Sequence, residues 1–288
     1  MEINKLTLKS KGYPEALKNI PARPNELYQS GADLNELAKR PAVAIVGSRK
    51  MSIYGEQVTR HFARELAEQG VIIVSGLALG VDGAAHRAAL EAGGQCIAVL
   101  PCALDNIVPV ANRQLADRIV AQGGALVSEY PPGEPPYKQN FIARNRLMSG
   151  LAQAVLITQA GEKSGTLYTA RFAEEQNREV FVVPGNINHI GSAGSNNLIK
   201  SNKGGLVTAP KDVLVALGFE PHATPVAEVR GRNANEQKLL DLMLQGVSDG
   251  EQLLQNSGLE VSRFNQALTM LEIAGKIRPL GMNHWAIF

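Results

Sequence analysis

Short apolar runs, each closed by a glycine, a proline or a polar turn, alternate along this chain with longer amphipathic stretches. The runs are Ala42–Val46, Val71–Val74, Cys96–Leu100, Ala125–Tyr130, Ala154–Gln159 and Glu179–Val183. Their unbroken apolar character predicts strands covered on both faces. Between them the apolar positions recur at helical spacing. Val58, Phe62 and Leu66 predict a helix over Tyr54–Gln69, stopped by Gly70. Helices are predicted likewise over Asp82–Ala92, Asn112–Gln122, Phe141–Leu151, Thr166–Asn177 and Pro210–Leu217, with a last short strand at Leu206–Thr208. Strands alternating with helices of this length mean βαβ units with right-handed crossovers. The predicted fold class is therefore α/β, a Rossmann-like three-layer fold with a mainly parallel sheet over residues 41–219.

Two segments flank this core. Residues 1–40, broken by Pro14, Pro21 and Pro24, read as a short lead-in packing on it. A strand is expected there at Leu27-Tyr28 and a helix at Asp33–Lys39. Residues 220–232 (EPHATPVAEVRGR) read as a linker. Beyond it, Asn235–Leu244, Glu251–Ser257 and Val261–Ala274 predict three helices, and Lys276–Phe288 a hairpin, so a small winged-helix-like domain is expected over 233–288.

In open α/β sheets ligands bind beyond the carboxyl ends of the strands. Three Gly/Ser loops fall there: Gly47-Ser48-Arg49, Ser75–Gly80 with Gly76, and Gly161–Thr166 with Ser164 and Gly165. Asp82 stands where the N-cap of the helix after the second loop is expected, so that helix end should present free N–H groups to an anion. Lys138, Arg144 and Arg146 precede the strand at Ala154. The two arginines fall on different helix faces, so at most one should line the same groove. Converging glycines, hydroxyls and cations point to a polyanion.

Composition narrows the choice. Hydrophobic residues make up 44% of the 288 and charged residues 19%, ordinary for a soluble globular protein. No signal-peptide core or membrane-length apolar run is present, so a cytoplasmic protein without a membrane partner is expected. Cys96 and Cys102 read as buried thiols. The net charge of +2 confines any polyanion contact to a local patch. Neither the dinucleotide fingerprint nor the Walker pattern occurs. The five histidines lack ligand spacing, so no metal and no cofactor are expected. Glu129 and Glu162 stand apart, which leaves no acid/base pair, and His86 reads as a packed histidine.

The stretches AIVGSR (44–49), SGLALGVDGAAHRAAL (75–90), SEYPPGEPP (128–136), FIARNRLMSGL (141–151), SGTLYTARFA (164–173), VFVVPGNI (180–187) and NNLIKSN (196–202) are similar, in this order, to those of one family. The chain over about residues 13–219 resembles the DNA-processing protein A family (DprA, also called Smf). These are bacterial single-stranded-DNA-binding proteins that help load the recombinase RecA, in natural transformation or recombination. The resemblance implies a homodimer, no enzymatic activity, and a basic pocket for the sugar-phosphate backbone. By motif position Arg49 matches the family's phosphate-binding arginine, Lys138 its pocket lysine and Phe141 its base-stacking aromatic, although Phe141 reads equally as a core residue of its helix. Ser164-Gly165-Thr166 matches the backbone-clamping loop, and Gly47, Ser48, Ser75, Gly76, Arg144 and Asn145 complete the expected DNA-binding set.

Departures are Val108-Pro109 for the family's Tyr-Pro, Ile142 where proline follows the phenylalanine, and Gln159 where Glu is frequent. The helical domain that often precedes the core is expected to be missing or very short. The alternative is a nucleotide-processing enzyme akin to Rossmann-type phosphoribohydrolases. Their loop carries a catalytic glutamate where this chain has Thr169. The family often carries a winged helix as well. Here residues 231–288 hold five Lys/Arg against six Asp/Glu, which argues against strong phosphate binding, so an accessory or protein-contact role is expected there, with weak duplex binding as the alternative.

Overall fold

The computed structural model describes residues 2–219, 230–281 and 283–287. The chain divides after residue 220 into two compact units. The first opens with β1 (Asn4–Thr7), α1 (Glu15–Lys18), β2 (Glu26–Gly31) and α2 (Leu34–Ala38). Strand–helix pairs follow: β3 (Ala42–Gly47) and α3 (Ile53–Glu68), β4 (Ile72–Ser75) and α4 (Val81–Glu91), β5 (Cys96–Leu100) and α5 (Arg113–Ala121). Then come β6 (Ala125–Ser128) and α6 (Asn140–Gly150), β7 (Ala154–Gln159) and α7 (Thr166–Glu175), and β8 (Glu179–Val182) and α8 (Ala193–Lys200). β9 (Gly205–Leu206) and α9 (Pro210–Ala216) end the unit.

One nine-stranded sheet results, in the order β1-β2-β6-β5-β4-β3-β7-β8-β9. From β6 to β9 every neighbouring pair is parallel. Side chains alternate between faces along each strand, and both faces are covered. On β3, Val43 and Ile45 belong to one apolar core with Phe62 and Leu66 of α3; Ala42, Ala44 and Val46 belong to the other, with Leu147 and Met148 of α6. The α/β three-layer class is thus present, and it explains why the strands read as continuous apolar runs.

The lead-in does more than pack on the core. β2 pairs antiparallel with β6, Tyr28 opposite Ser128, and β1 pairs antiparallel with β2. These strands satisfy the backbone edge that β6 would otherwise present to solvent. Tyr13 is buried and donates its hydroxyl to the Pro24 carbonyl at 2.6 Å, which fastens the segment despite its three prolines.

The second unit holds α10 (Ala234–Leu244), α11 (Gly250–Ser257), α12 (Val261–Ile273) and the antiparallel hairpin β10 (Ile277–Gly281) and β11 (His284–Ile287). Leu239, Leu240, Leu253, Phe264, Leu268, Leu271 and Ile277 form its core. The Asn233 side chain caps α10 by accepting the Glu236 N–H at 2.9 Å, and the Glu236 carboxylate reaches back to the Arg232 N–H at 2.8 Å. Of the linker expected over 220–232, residues 220–229 lie outside the described residues, as does Phe288.

Candidate nucleic-acid interface

Strand order reverses between β3 and β7: β4, β5 and β6 build away on one side, β8 and β9 on the other. At such a switch point the loops leaving two adjacent carboxyl ends diverge and open a crevice. A cavity of about 1160 Å³ lies here, lined by residues of the loops after β3 and β7 and by α6.

Close backbone approach builds its wall. Gly47 lies against Val81 and the Gln159 carbonyl with no space for a Cβ, and Gly80, at φ +76°, lies against the Ser48 carbonyl. The Ser48 N–H donates to the Gln159 carbonyl at 2.8 Å, and the Ser48 carbonyl accepts the Val81 N–H at 3.1 Å. The Gln159 amide is buried and serves Ser52 twice: its oxygen accepts the Ser52 N–H at 2.8 Å, and its nitrogen donates to Ser52 Oγ at 2.9 Å. Residues 47–52 are therefore clamped between α4 and β7. Arg49 is left exposed, its guanidinium carbon 4.7 Å from the centroid of the half-buried Phe141 ring.

Across the cavity, Ser164 Oγ donates to Thr166 Oγ1 at 3.0 Å and accepts the Thr166 N–H at 3.3 Å, and Asn145 Nδ2 donates to the Gly165 carbonyl at 3.4 Å. Every expected site residue lines the cavity except Ser75 and Gly76. Ser75 is buried and donates its hydroxyl to the Ile45 carbonyl at 2.6 Å. Gly76 is covered by the Arg144 guanidinium, which leaves no room for a Cβ.

The anion seat expected on α4 is filled by the protein itself. The helix begins at Val81 with Gly80 as its cap, so Asp82 lies inside the first turn. Its carboxylate turns inward and accepts the Gly76 N–H at 3.2 Å. Val81 and Gly83 N–H groups are taken by the Ser48 and Ala78 carbonyls. A short loop that folds back on its own helix end consumes the donors that sequence alone left free. Burial raises the Asp82 pKa, with the Arg144 charge and the Ala78 and Gly76 N–H groups opposing that rise.

Arg144 lines the cavity from beneath. It is buried and donates to the Gly76 carbonyl at 2.8 Å, to the Val99 carbonyl, and from Nε to Asn145 Oδ1 at 3.3 Å. Burial lowers its pKa to about 10, opposed by the Asp82 charge. Arg146 turns the other way: its guanidinium grips both Glu129 oxygens at 2.7 and 2.8 Å and the Ala22 carbonyl at 2.8 Å. One of the two arginines lines the groove, as their helical spacing requires.

Lys50, Lys163 and Thr169 also line the cavity, as do Ile190 and Gly191 from the loop after β8. Both lysines stand in loops that the strand-end argument marks, beside residues that match family motifs. The Ile190 loop carries no polar signature to mark it. Exposed charges at the cavity are Arg49, Lys50, Lys138 and Lys163 against Glu162, so its mouth is cationic. The Thr169 hydroxyl is buried without a partner, where the phosphoribohydrolase loop has its glutamate. Among the described residues no cluster of three His, Cys, Asp or Glu side chains is placed to hold a metal. No described helix is long and apolar enough to cross a membrane.

Residues 4–218 match the family model for DNA recombination-mediator protein A, and residues 220–281 that of the DprA winged helix domain. The chain belongs to the DNA recombination-mediator protein A family. Protein Smf of Escherichia coli is 41% identical to it over 276 residues, covering 93% of this chain and 73% of that protein. DNA processing protein DprA of Bacillus subtilis is 44% identical over 185 residues, 64% of this chain and 62% of its own length. Two crystallographic or otherwise solved relatives share the fold. DNA processing protein A of Streptococcus pneumoniae is 40% identical, with a TM-score of 0.69 over 74% of each chain. The Helicobacter pylori protein, whose structure is described for its single-stranded DNA binding mode, is 36% identical, with a TM-score of 0.66 over 74% of this chain and 95% of its own.

Proposed function

We propose that this chain is a non-enzymatic protein that binds single-stranded DNA in the cavity between β3 and β7, protects the strand, and loads a RecA-type recombinase onto it. The observation that carries this reading is the pairing of Arg49 with Phe141 at the mouth of a cationic cavity. Single-strand binders join a cationic groove for the backbone to an aromatic face for bases. In this reading Arg49, Lys50, Lys138 and Lys163 hold phosphates at the mouth, Ser164 and Thr166 add hydroxyls, and Phe141 stacks a base. Arg144 acts from below: Nη1 and Nε are held by carbonyl oxygens, so it fixes the loop after β4 while adding its charge to the cavity. The Helicobacter pylori relative, described as binding single-stranded DNA, supports the same ligand class here.

The hydrolase alternative needs a carboxylate at the loop, and this chain offers Thr169 there. Buried Asp82 is held beneath the cavity by backbone N–H groups, and Glu162 lies exposed at the mouth. Backbone contacts carry no base information, so affinity should fall with salt and vary little with sequence. We read the second unit as a protein-contact domain, since its charges balance slightly acidic, and the working form as a homodimer in the cytoplasm.

Fluorescence anisotropy with labelled oligo-dT and a matched duplex, at two salt concentrations, tests the site. Wild type should prefer the single strand, and Arg49→Ala with Lys138→Ala should abolish that preference. Binding indifferent to both substitutions refutes it. Recombinase loading is tested by filament growth on a strand already coated with single-strand-binding protein; no stimulation by wild type would remove that part of the reading.

A further inference from the structure

Beside the cationic mouth the surface changes character. Ile53 is 79% exposed, Ile187 90%, Ile190 88% and Tyr54 45%. Isolated exposed aliphatics are common, but a contiguous apolar patch marks a contact surface. Ile53 and Tyr54 open α3, and Ile187 and Ile190 lie on the chain between β8 and α8. Gln159 holds Ser52, just before Ile53, and its amide nitrogen lies 3.5 Å from His189 Nδ1, just before Ile190. Tyr54 donates its hydroxyl to the Pro184 carbonyl at 2.9 Å, tying the first turn of α3 to the chain leaving β8. The His189 N–H donates to the Asn186 carbonyl at 3.0 Å, folding Ile187 into a turn on that same loop. Ile190 also lines the cavity, so the loop after β8 adjoins it.

We infer that this rim is a second stacking platform, on which bases of the same single strand lie after the strand leaves the cavity. The inference rests on the proposed single-strand reading of that cavity. Tyr54 carries it. A ring fastened at its hydroxyl and bare on much of its surface loses little freedom when a base stacks on it. The isoleucines extend the apolar surface without a charge that would repel phosphate, and Lys50, four residues before Tyr54, supplies a cation for the backbone between cavity and rim. Every base has an apolar face, so such a platform tolerates any sequence. The occupant is thus a polyanion with flat apolar faces, continuous with the one in the cavity.

The test is anisotropy of the full chain with labelled oligo-dT of about four and about sixteen nucleotides, the span of known single-strand site sizes. Tyr54→Ala should weaken the long oligonucleotide about tenfold, one stacked base, and change the short one little. Tyr54→Phe, which keeps the ring, should recover most of that loss. Ile53→Ser with Ile187→Ser changes only exposed side chains that do not line the cavity, and should also weaken the long ligand selectively. Unchanged long-strand binding in Tyr54→Ala and in the double serine variant would overturn the platform while leaving the cavity intact. Equal loss on both lengths would place Tyr54 with the cavity and overturn it too. If Arg49→Ala with Lys138→Ala leaves binding untouched, the cavity reading itself fails and the platform falls with it. A change of oligomeric state in the serine variant without a DNA effect assigns the patch to a second copy of the chain and refutes the inference.

Discussion

At the scale of single residues, two buried groups beneath the cavity make the sharpest predictions. Gly76 is hemmed in by the Arg144 guanidinium, which is itself fixed by the Gly76 and Val99 carbonyls. Gly76→Ala should therefore cost about 1–3 kcal/mol through overpacking, read as a lower urea midpoint at unchanged m-value. A neutral result would show that Arg144 can leave its place. His86 is fully buried, and burial lowers its pKa from 6.5 to about 3, against a backbone interaction with Ser75 that opposes the drop and with Arg144 and Arg87 adding to it. The folded state thus holds it neutral while the unfolded chain protonates it below pH 6.5. Its stabilising contribution is complete above pH 6.5 and is lost as pH falls toward 3, amounting to about 2 kcal/mol by pH 5. His86→Met should flatten that part of the acid limb in urea titrations, and an unaltered slope would contradict its burial as a neutral group. Neither role was visible in the sequence, where Gly76 read as an anion loop and His86 only as packed. Arg144 decides the first and only adds to the second, which burial decides, and both depend on what the fold packs around these residues.

Elements were far easier to read than their caps and partners. The buried strands from β3 to β7 were legible because a strand covered on both faces leaves an unmistakable apolar run. β1 and α1 were not, because each is four residues long and half polar. α8 escaped for a related reason: it follows a loop of Gly, Asn and Ser with no periodic apolar stripe. The position of α6 matters most for the site, since it carries Phe141, Arg144 and Asn145. Arg146 Nη2, donating to both Glu129 oxygens, ties that helix to the chain just beyond β6, and Nε, donating to the Ala22 carbonyl, extends the tie to the lead-in. With the Arg146 side chain only 11% exposed, this pair is worth more than a surface ion pair. Glu129→Gln should lower stability by about 1.5–3 kcal/mol by denaturant titration. It should disturb oligo-dT binding far less than loss of Arg49, because it acts on the placement of α6 rather than on a phosphate. Equal losses of affinity in the two variants would mean the helix position, not the mouth charge, governs binding.

At the scale of the whole molecule, a net charge of +2 confined any polyanion contact to a local patch, and the structure gathers exposed cations at one cavity. What a strand meets is the local field, and four of the chain's Lys and Arg residues stand exposed around one cavity with a single exposed carboxylate among them. Each phosphate neutralised on a single strand contributes about 0.7 to the dependence of log K on log salt. If these four cations each meet one phosphate, the slope for oligo-dT should be close to about −3. Arg49→Ala, Lys50→Ala, Lys138→Ala and Lys163→Ala should each make it shallower by about 0.7. The second unit carries more Asp and Glu than Lys and Arg over 231–288, so a chain ending at residue 219 should keep both the slope and most of the affinity. A steeper slope in the full chain than in the shortened one would assign phosphate contacts to the winged helix, and with them a share in holding DNA. Matching slopes would leave that domain free for a protein partner, with the counted cations of the β3–β7 cavity accounting for the salt dependence.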